Sequence, residues 1–294
     1  MTGLSWKPAV IAHRGASSVA PENTMAAFEK AVELGADWLE LDCRLTRDGK
    51  LAVIHDPDIA RISAKNTCIA EMYMSDMRLL DAGSWFSRDF IGECIPTLEE
   101  VLTLAGSRIG VYVEIKSVLD EVPLISNMLE VVEDGQSLSG NDWEILMAAA
   151  NRLSADSVVT ARVVIDIIRA YSSRCRIVAQ SFSPVVATVF RHEAPELRFE
   201  FLGADLPEPP NIWQHYIEYG RRINVSGFNI NKESMTEKRV KEFHEMGKTC
   251  AVWVVNEQED IEACVRCDAD AIITNKPDFC HEVLDSMGAK ENFC

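Results

Sequence analysis

Short apolar, β-branched runs alternate along this chain with longer stretches of helical spacing. The runs lie at residues 9–13, 38–43, 51–55, 110–116, 176–182, 198–202, 225–230, 249–254 and 271–274. Such short, near-continuous runs suit strands covered on both faces. Between most of them, apolar residues recur at helical spacing. Residues 24–34 set Ala26, Ala27, Val32 and Leu34 on one inner face. Residues 96–104 start another helix, with Glu99 and Glu100 near its positive end. Repeated strand-then-helix order predicts a parallel sheet closed into a TIM-type (β/α)8 barrel.

Nine runs are one too many for that barrel. Only residues 44–50 separate the second run from the third, too few for a crossover helix. Asp48-Gly49 between them is a strong hairpin signal. The expectation is therefore eight parallel strands plus one antiparallel return. A turn at Asp48-Gly49 with symmetric pairing would set His55 opposite Asp42, on the same face. Two connections exceed a simple crossover and predict enlarged βα loops. Residues 56–95 are irregular, with Gly83, Trp85 and Phe86 expected in an active-site loop. Residues 117–175 should hold two or three helices and a polar surface loop at 133–141. Proline-rich residues 206–211 mark a further loop. No internal repeat or dividing linker is evident, so residues 1–294 read as a single barrel domain.

Composition narrows the partners. Hydrophobic residues make up 47% and charged residues 26%, a globular profile, and the formal net charge is −17. So acidic a surface argues against nucleic acid and anionic membranes as partners. An anionic small-molecule substrate would need a local cationic patch or a bound metal. The first residues lack a basic segment followed by an apolar core, and no apolar run is long enough to span a membrane. Nine cysteines without a secretion signal point to reduced thiols in the cytoplasm. Cys264-Val-Arg-Cys267 is a lone CxxC in a helical context and reads as two incidental thiols.

The chemistry gathers at the ends of the apolar runs. Glu40 and Asp42 are two apart on a predicted strand, so they share a face. Separate salt bridges would explain the pair alone; a shared cation explains it equally well. Glu114 and Lys116 repeat the pattern on a later strand. Glu40, Asp42 and Glu114 together make an all-oxygen donor set, which favours Mg2+ or Ca2+ over zinc. His13 and His55 each end an apolar run. Two histidines flanking three acids suit proton transfer near neutral pH. Arg14 and Lys116 can hold phosphate oxygens. Glu22 and Asn23 follow Pro21 at a helix start, where Asn23 or Thr24 could simply be the cap. Trp253 reads either as a core tryptophan or as a wall of the substrate pocket. His192, His215, His244 and His281 lack such company and read as structural or surface.

A set of motifs then falls into order: Ile11-Ala-His-Arg-Gly-Ala, Pro21-Glu-Asn-Thr, Gly35-Ala-Asp-Trp-Leu-Glu-Leu-Asp, Thr46-Arg-Asp-Gly, Val53-Ile-His-Asp, Asp81-Ala-Gly-Ser-Trp-Phe, Ile95-Pro-Thr-Leu-Glu-Glu-Val-Leu, Val113-Glu-Ile-Lys, Gln180-Ser-Phe and Val252-Trp-Val-Val-Asn. Together they resemble the glycerophosphodiester phosphodiesterase family, from residue 11 to about residue 277. The resemblance implies a TIM-barrel phosphodiesterase that needs a divalent metal. It implies Glu40, Asp42 and Glu114 as metal ligands and His13 and His55 as the acid–base pair. Arg14 and Lys116 would contact phosphate, with Glu22 and Asn23 in support. It also implies attack by a neighbouring hydroxyl through a cyclic phosphate.

The chain departs from the family pattern after His55-Asp56, at Asn275 where an aspartate is common, and in residues 117–175. All three lie at or near predicted βα loops, which set substrate choice on this fold. A diesterase specific for a sugar phosphodiester, such as an agrocinopine-type opine, is therefore one alternative. A catalytically silent binding module on the same barrel is another, although no histidine or carboxylate of the set is missing. A metal-dependent sugar isomerase or aldolase-type barrel could use the carboxylates but has less need of two histidines beside Arg14.

Overall fold

The computed structural model describes residues 7–63, 65–131, 138–208 and 210–291. Its strands are β1 (Ala9–Ala12), β2 (Trp38–Leu45), β3 (Leu51–Val53), β4 (Gly110–Ile115), β5 (Ile177–Ser181), β6 (Phe199–Gly203), β7 (Gly227–Asn231), β8 (Thr249–Trp253) and β9 (Ala271–Thr274). Each of the nine apolar runs overlaps one strand, and β2, β6 and β7 extend beyond theirs. Eight of the strands pair in parallel, and β1 bonds to both β2 and β9, which closes the barrel. β3 lies outside the ring, antiparallel on β2. Closure buries both faces: Ile11, Tyr112, Val178, Ala251 and Ile273 form one apolar cluster, and most of the remaining core packs in another. No helix among the described residues is long and apolar enough to cross a membrane.

The hairpin register differs from the symmetric expectation by one residue. Thr46 N–H donates to Lys50 O at 2.8 Å, so Arg47, Asp48 and Gly49 form a three-residue loop. Gly49 takes φ 71°, the left-handed conformation that such loops require. Cys43 therefore pairs with Val53, and Ile54 N–H donates to Asp42 O. His55 lies past the end of β3 rather than opposite Asp42.

The helices follow their capping signals. Thr97 caps Leu98–Ala105 in a reciprocal box with Glu100. Thr24, not Asn23, caps Met25–Glu33. That helix buries Ala27, Phe28 and Ala31, whereas Ala26, Val32 and Leu34 of the expected inner face stay partly exposed. The aromatic Phe28 fills the contact that the alanine-based reading missed.

Both long connections are enlarged as expected. Residues 56–95 carry short helical turns over a small core that includes Ile54, Ile59, Ile69, Met77 and Ile95. The longer insertion holds three helices, Leu124–Glu130, Gly140–Leu153 and Ala155–Tyr171. Of the polar stretch expected as a loop there, residues 133–137 lie outside the described residues, and Gly140 already begins a helix.

Candidate active site

β2 sets the floor of the site. Glu40 and Asp42 point to one face, as strand parity requires, and both are buried. Parallel pairing puts Glu114 of β4 directly beside Asp42, and Gln180 of β5 beside Glu114. One oxygen from each of Glu40, Asp42 and Glu114 can be chosen so that all lie within 4.8 Å of one another. Three buried carboxylates this close repel. Burial, reinforced by Asp42 and Glu114, pushes Glu40 well above the usual carboxylate range. Burial and Asp42 likewise raise Glu114, against the pull of Lys116. Burial works upward on Asp42 too, but Lys116 and Arg14 outweigh it and hold that carboxyl well below its ordinary value. An all-oxygen, charge-crowded set of this size fits a hard divalent cation. A cation would relieve the repulsion that otherwise favours protonation of Glu40.

The cationic groups sit against this trio. Lys116 Nζ lies 3.1 Å from Asp42 Oδ1 and pairs also with Glu114 Oε1. Arg14 places Nε 3.1 Å from Asp42 Oδ2 and Nη1 3.1 Å from Glu22 Oε1, and its backbone N–H donates to Glu40 Oε2 at 3.0 Å. Arg14 and Asn23 both take left-handed backbone conformations, φ 57° and 58°. Such conformations are disfavoured for side-chain-bearing residues and persist where surrounding bonds fix them. Here Asn23 Nδ2 donates to Asp42 Oδ2 at 2.8 Å, and Asn23 N–H donates to Arg14 O at 3.0 Å.

Each histidine is held through Nδ1. His13 Nδ1 meets Asn275 Oδ1 at 2.7 Å, and His55 Nδ1 meets Asp56 Oδ1 at 2.9 Å. An acceptor at Nδ1 puts the proton there and leaves Nε2 basic. No hydrogen bond among the described residues engages either Nε2. Both rings are close enough to Asp42 to lower its pKa electrostatically. Burial, with Arg14 beside it, pushes His13 down to about 4. Burial, with Lys116 and Arg14, also lowers His55, although Asp42 opposes the shift. Both imidazoles are therefore biased toward the neutral form.

The structure thus joins Arg14, Glu22, Asn23, Glu40, Asp42, Glu114 and Lys116 in one bonded network, which His55 reaches through Asp56 and Arg61, while His13 stands close enough to Asp42 and Arg14 to interact electrostatically. Trp253 stands at its edge. It donates from Nε1 to Asn229 O at 3.1 Å, meets Phe182 edge-on at 5.5 Å, and lines the cavity that Glu114 and Lys116 also line. His192, His215, His244 and His281 bind elsewhere, to the Trp143 ring, Ser126, Asp270 and Gly35 O.

Four polar residues join the network without having been assigned a role from sequence. Gln180 Nε2 donates to Glu40 Oε1 at 3.2 Å and is itself held by Asn229. Asn275 holds His13, as described. Arg61 clamps Asp56 and Glu22 at 2.7 and 2.6 Å and lies over the Trp85 ring. Gln180 and Asn229 carried the same signal as Glu40, a polar side chain within a buried strand. Arg61 carried none, since its position depends on the path of an irregular loop.

A closed parallel barrel with histidines, buried carboxylates and cationic side chains gathered at its carboxyl end is the architecture of a TIM-barrel enzyme. The particular family follows from comparison: the model of the glycerophosphoryl diester phosphodiesterase family matches residues 13–279, and the chain belongs to that family of phosphoric diester hydrolases. Among its relatives is a glycerophosphodiester phosphodiesterase of Caldanaerobacter subterraneus, 32% identical over 274 residues, covering 92% of this chain and 96% of the relative. The glycerophosphodiester phosphodiesterase structure from Agrobacterium tumefaciens is 25% identical, covers 92% of this chain and 97% of its own, and superposes with a TM-score of 0.65. An Oleispira antarctica phosphodiesterase, solved in complex with the product sn-glycerol-3-phosphate, shares the fold with a TM-score of 0.74. It is 21% identical and covers 95% of this chain and 97% of its own.

Proposed function

We propose that this protein is a cytoplasmic, metal-dependent phosphodiesterase that acts as one barrel domain. It hydrolyses a small glycerol-linked phosphodiester to a phosphomonoester and an alcohol. The observation that carries the reading is the gathering of His13 and His55 within electrostatic reach of Asp42, beside a carboxylate trio that Arg14 and Lys116 hold, in a chain of this family. The relatives' names and the glycerol phosphate bound by the Oleispira enzyme support the substrate class.

Glu40, Asp42 and Glu114 would hold Mg2+ or Ca2+, which supplies positive charge for the phosphate and the attacking hydroxyl. Arg14 and Lys116 orient the phosphate and offset charge developing on its oxygens. Glu22 and Asn23 keep Arg14 and Asp42 in place. The hydroxyl beside the ester oxygen attacks phosphorus, an internal attack that exploits proximity. One histidine takes the hydroxyl proton at Nε2. The other, which must enter the step as imidazolium, gives its Nε2 proton to the departing alcohol as the old P–O bond breaks and is left neutral. Water then opens the cyclic phosphate with the two roles reversed.

The test is phosphate release from glycerophosphodiesters through a coupled phosphatase. His13→Ala and His55→Ala should each lower turnover by at least about 100-fold, the contribution of an acid–base group. Near-wild-type turnover in either variant would remove that histidine from the mechanism.

A further inference from the structure

Glu114, alone of the carboxylate trio, lines a cavity of about 690 Å³. That size lies within the range of about 300–1,000 Å³ usual for small-molecule sites. Glu114, Lys116 and Trp253 stand at its inner end. From there it descends between two neighbouring helices, Leu124–Glu130 and Ile212–Arg222, over Ile125, Phe201, Ile212 and Tyr216. Its exposed lining combines the carboxylates of Asp120 and Glu208 with large apolar side chains. Leu119 is 77% exposed, Val118 46% and Leu206 45%. Single exposed apolar residues are ordinary, but three around one cavity that reaches a candidate active site form a patch with a direction.

Most polar groups of the buried walls are already engaged, while Asp120 and Glu208 add exposed carboxylates to the lining. Arg44 donates to His55 O and Ser117 O, both at 2.8 Å. Glu121 accepts from Ser157 and Ser183. Ser181 donates to Ile115 O at 2.7 Å, and Asn231 is bonded to Glu233 and Ser234. A polyol or sugar entering between the two helices would lose its water for few free partners, which is unfavourable. A hydrocarbon chain would lose nothing and gain burial.

We propose that this cavity receives an apolar chain carried on one arm of the diester. The preferred substrate is then an alkyl- or acyl-bearing glycerophosphodiester, not a sugar- or choline-bearing one. The residues of the rim and of the Ile212–Arg222 helix are the specificity determinants. The inference rests on the phosphodiesterase reading above for its chemistry, but not for its binding.

Two substrate series test it, each with a methyl, butyl or octyl chain, on the leaving alcohol in one and on the glycerol in the other, all kept below their micellar concentrations. Full burial gives about fourfold in kcat/KM per methylene. In at least one series kcat/KM should rise at least about tenfold from methyl to octyl, and L119D/L206D should flatten that rise. A flat or falling series on both arms, or glycerophosphocholine preferred over the octyl esters, would overturn the proposal while leaving the diesterase reading intact. Calorimetric titration with octyl and methyl phosphate is read independently of turnover. Octyl phosphate binding about tenfold tighter supports the slot even if no diester is cleaved; equal affinities reject it.

Discussion

Gly15 and Gly49 both take positive φ, 81° and 71°, for different reasons. At Gly49 nothing lies within 4 Å of where a Cβ would sit, so only the hairpin loop requires glycine. At Gly15 a Cβ would fall 2.6 Å from the backbone carbon of Ala27, so the helix Met25–Glu33 also requires it. Gly49→Ala should therefore cost about 1–2 kcal/mol, the left-handed penalty alone. Gly15→Ala should cost at least about 1 kcal/mol more, from overpacking, and should lower turnover by moving Arg14. Urea unfolding of the two variants measures the difference; equal losses would mean that the helix yields without strain.

At the scale of elements, the barrel strands turn scattered residues into a site by register. Asp42, Glu114 and Gln180 are adjacent because three strands align in parallel, and strand parity carries Glu40 to the same face. Elsewhere an element removes chemistry. Cys264 lies on the helix Gln258–Arg266, where burial pushes its thiol up to about 12, and burial raises Cys267 as well. A raised thiol pKa keeps the proton on sulfur at every pH below it, so at pH 8 the Cys264 thiolate is about one part in ten thousand. Iodoacetamide at pH 8 should leave Cys264 unmodified in the folded protein and alkylate it in urea, as read by peptide mass. Rapid labelling in the folded state would contradict the burial argument.

For the whole molecule, the principal electrostatic tension is the buried trio of carboxylates, set within a chain of net charge −17. A ligand that binds the folded state alone stabilises it by mass action, about 2.7 kcal/mol at a hundredfold excess over Kd. Adding Mg2+ or Ca2+ to chelator-treated protein should raise Tm and restore diesterase activity together. Full activity in chelator, with no thermal shift on adding either ion, would exclude the metal-dependent reading.

The sequence by itself determined the strand-and-helix alternation, the extra antiparallel strand and the candidate residues that the fold gathers. These rest on local physics: apolar runs, side-chain parity, a glycine turn and polar residues at strand ends. Thr46-Arg-Asp-Gly marked the hairpin, yet only the folded loop decided that it spans three residues and moves His55 out of pairing with Asp42. Arg61 against Glu22, Asn275 against His13 and the apolar cavity beside Lys116 were likewise decided by tertiary structure. Each depends on where residues distant in sequence meet in space, and no local periodicity encodes that meeting.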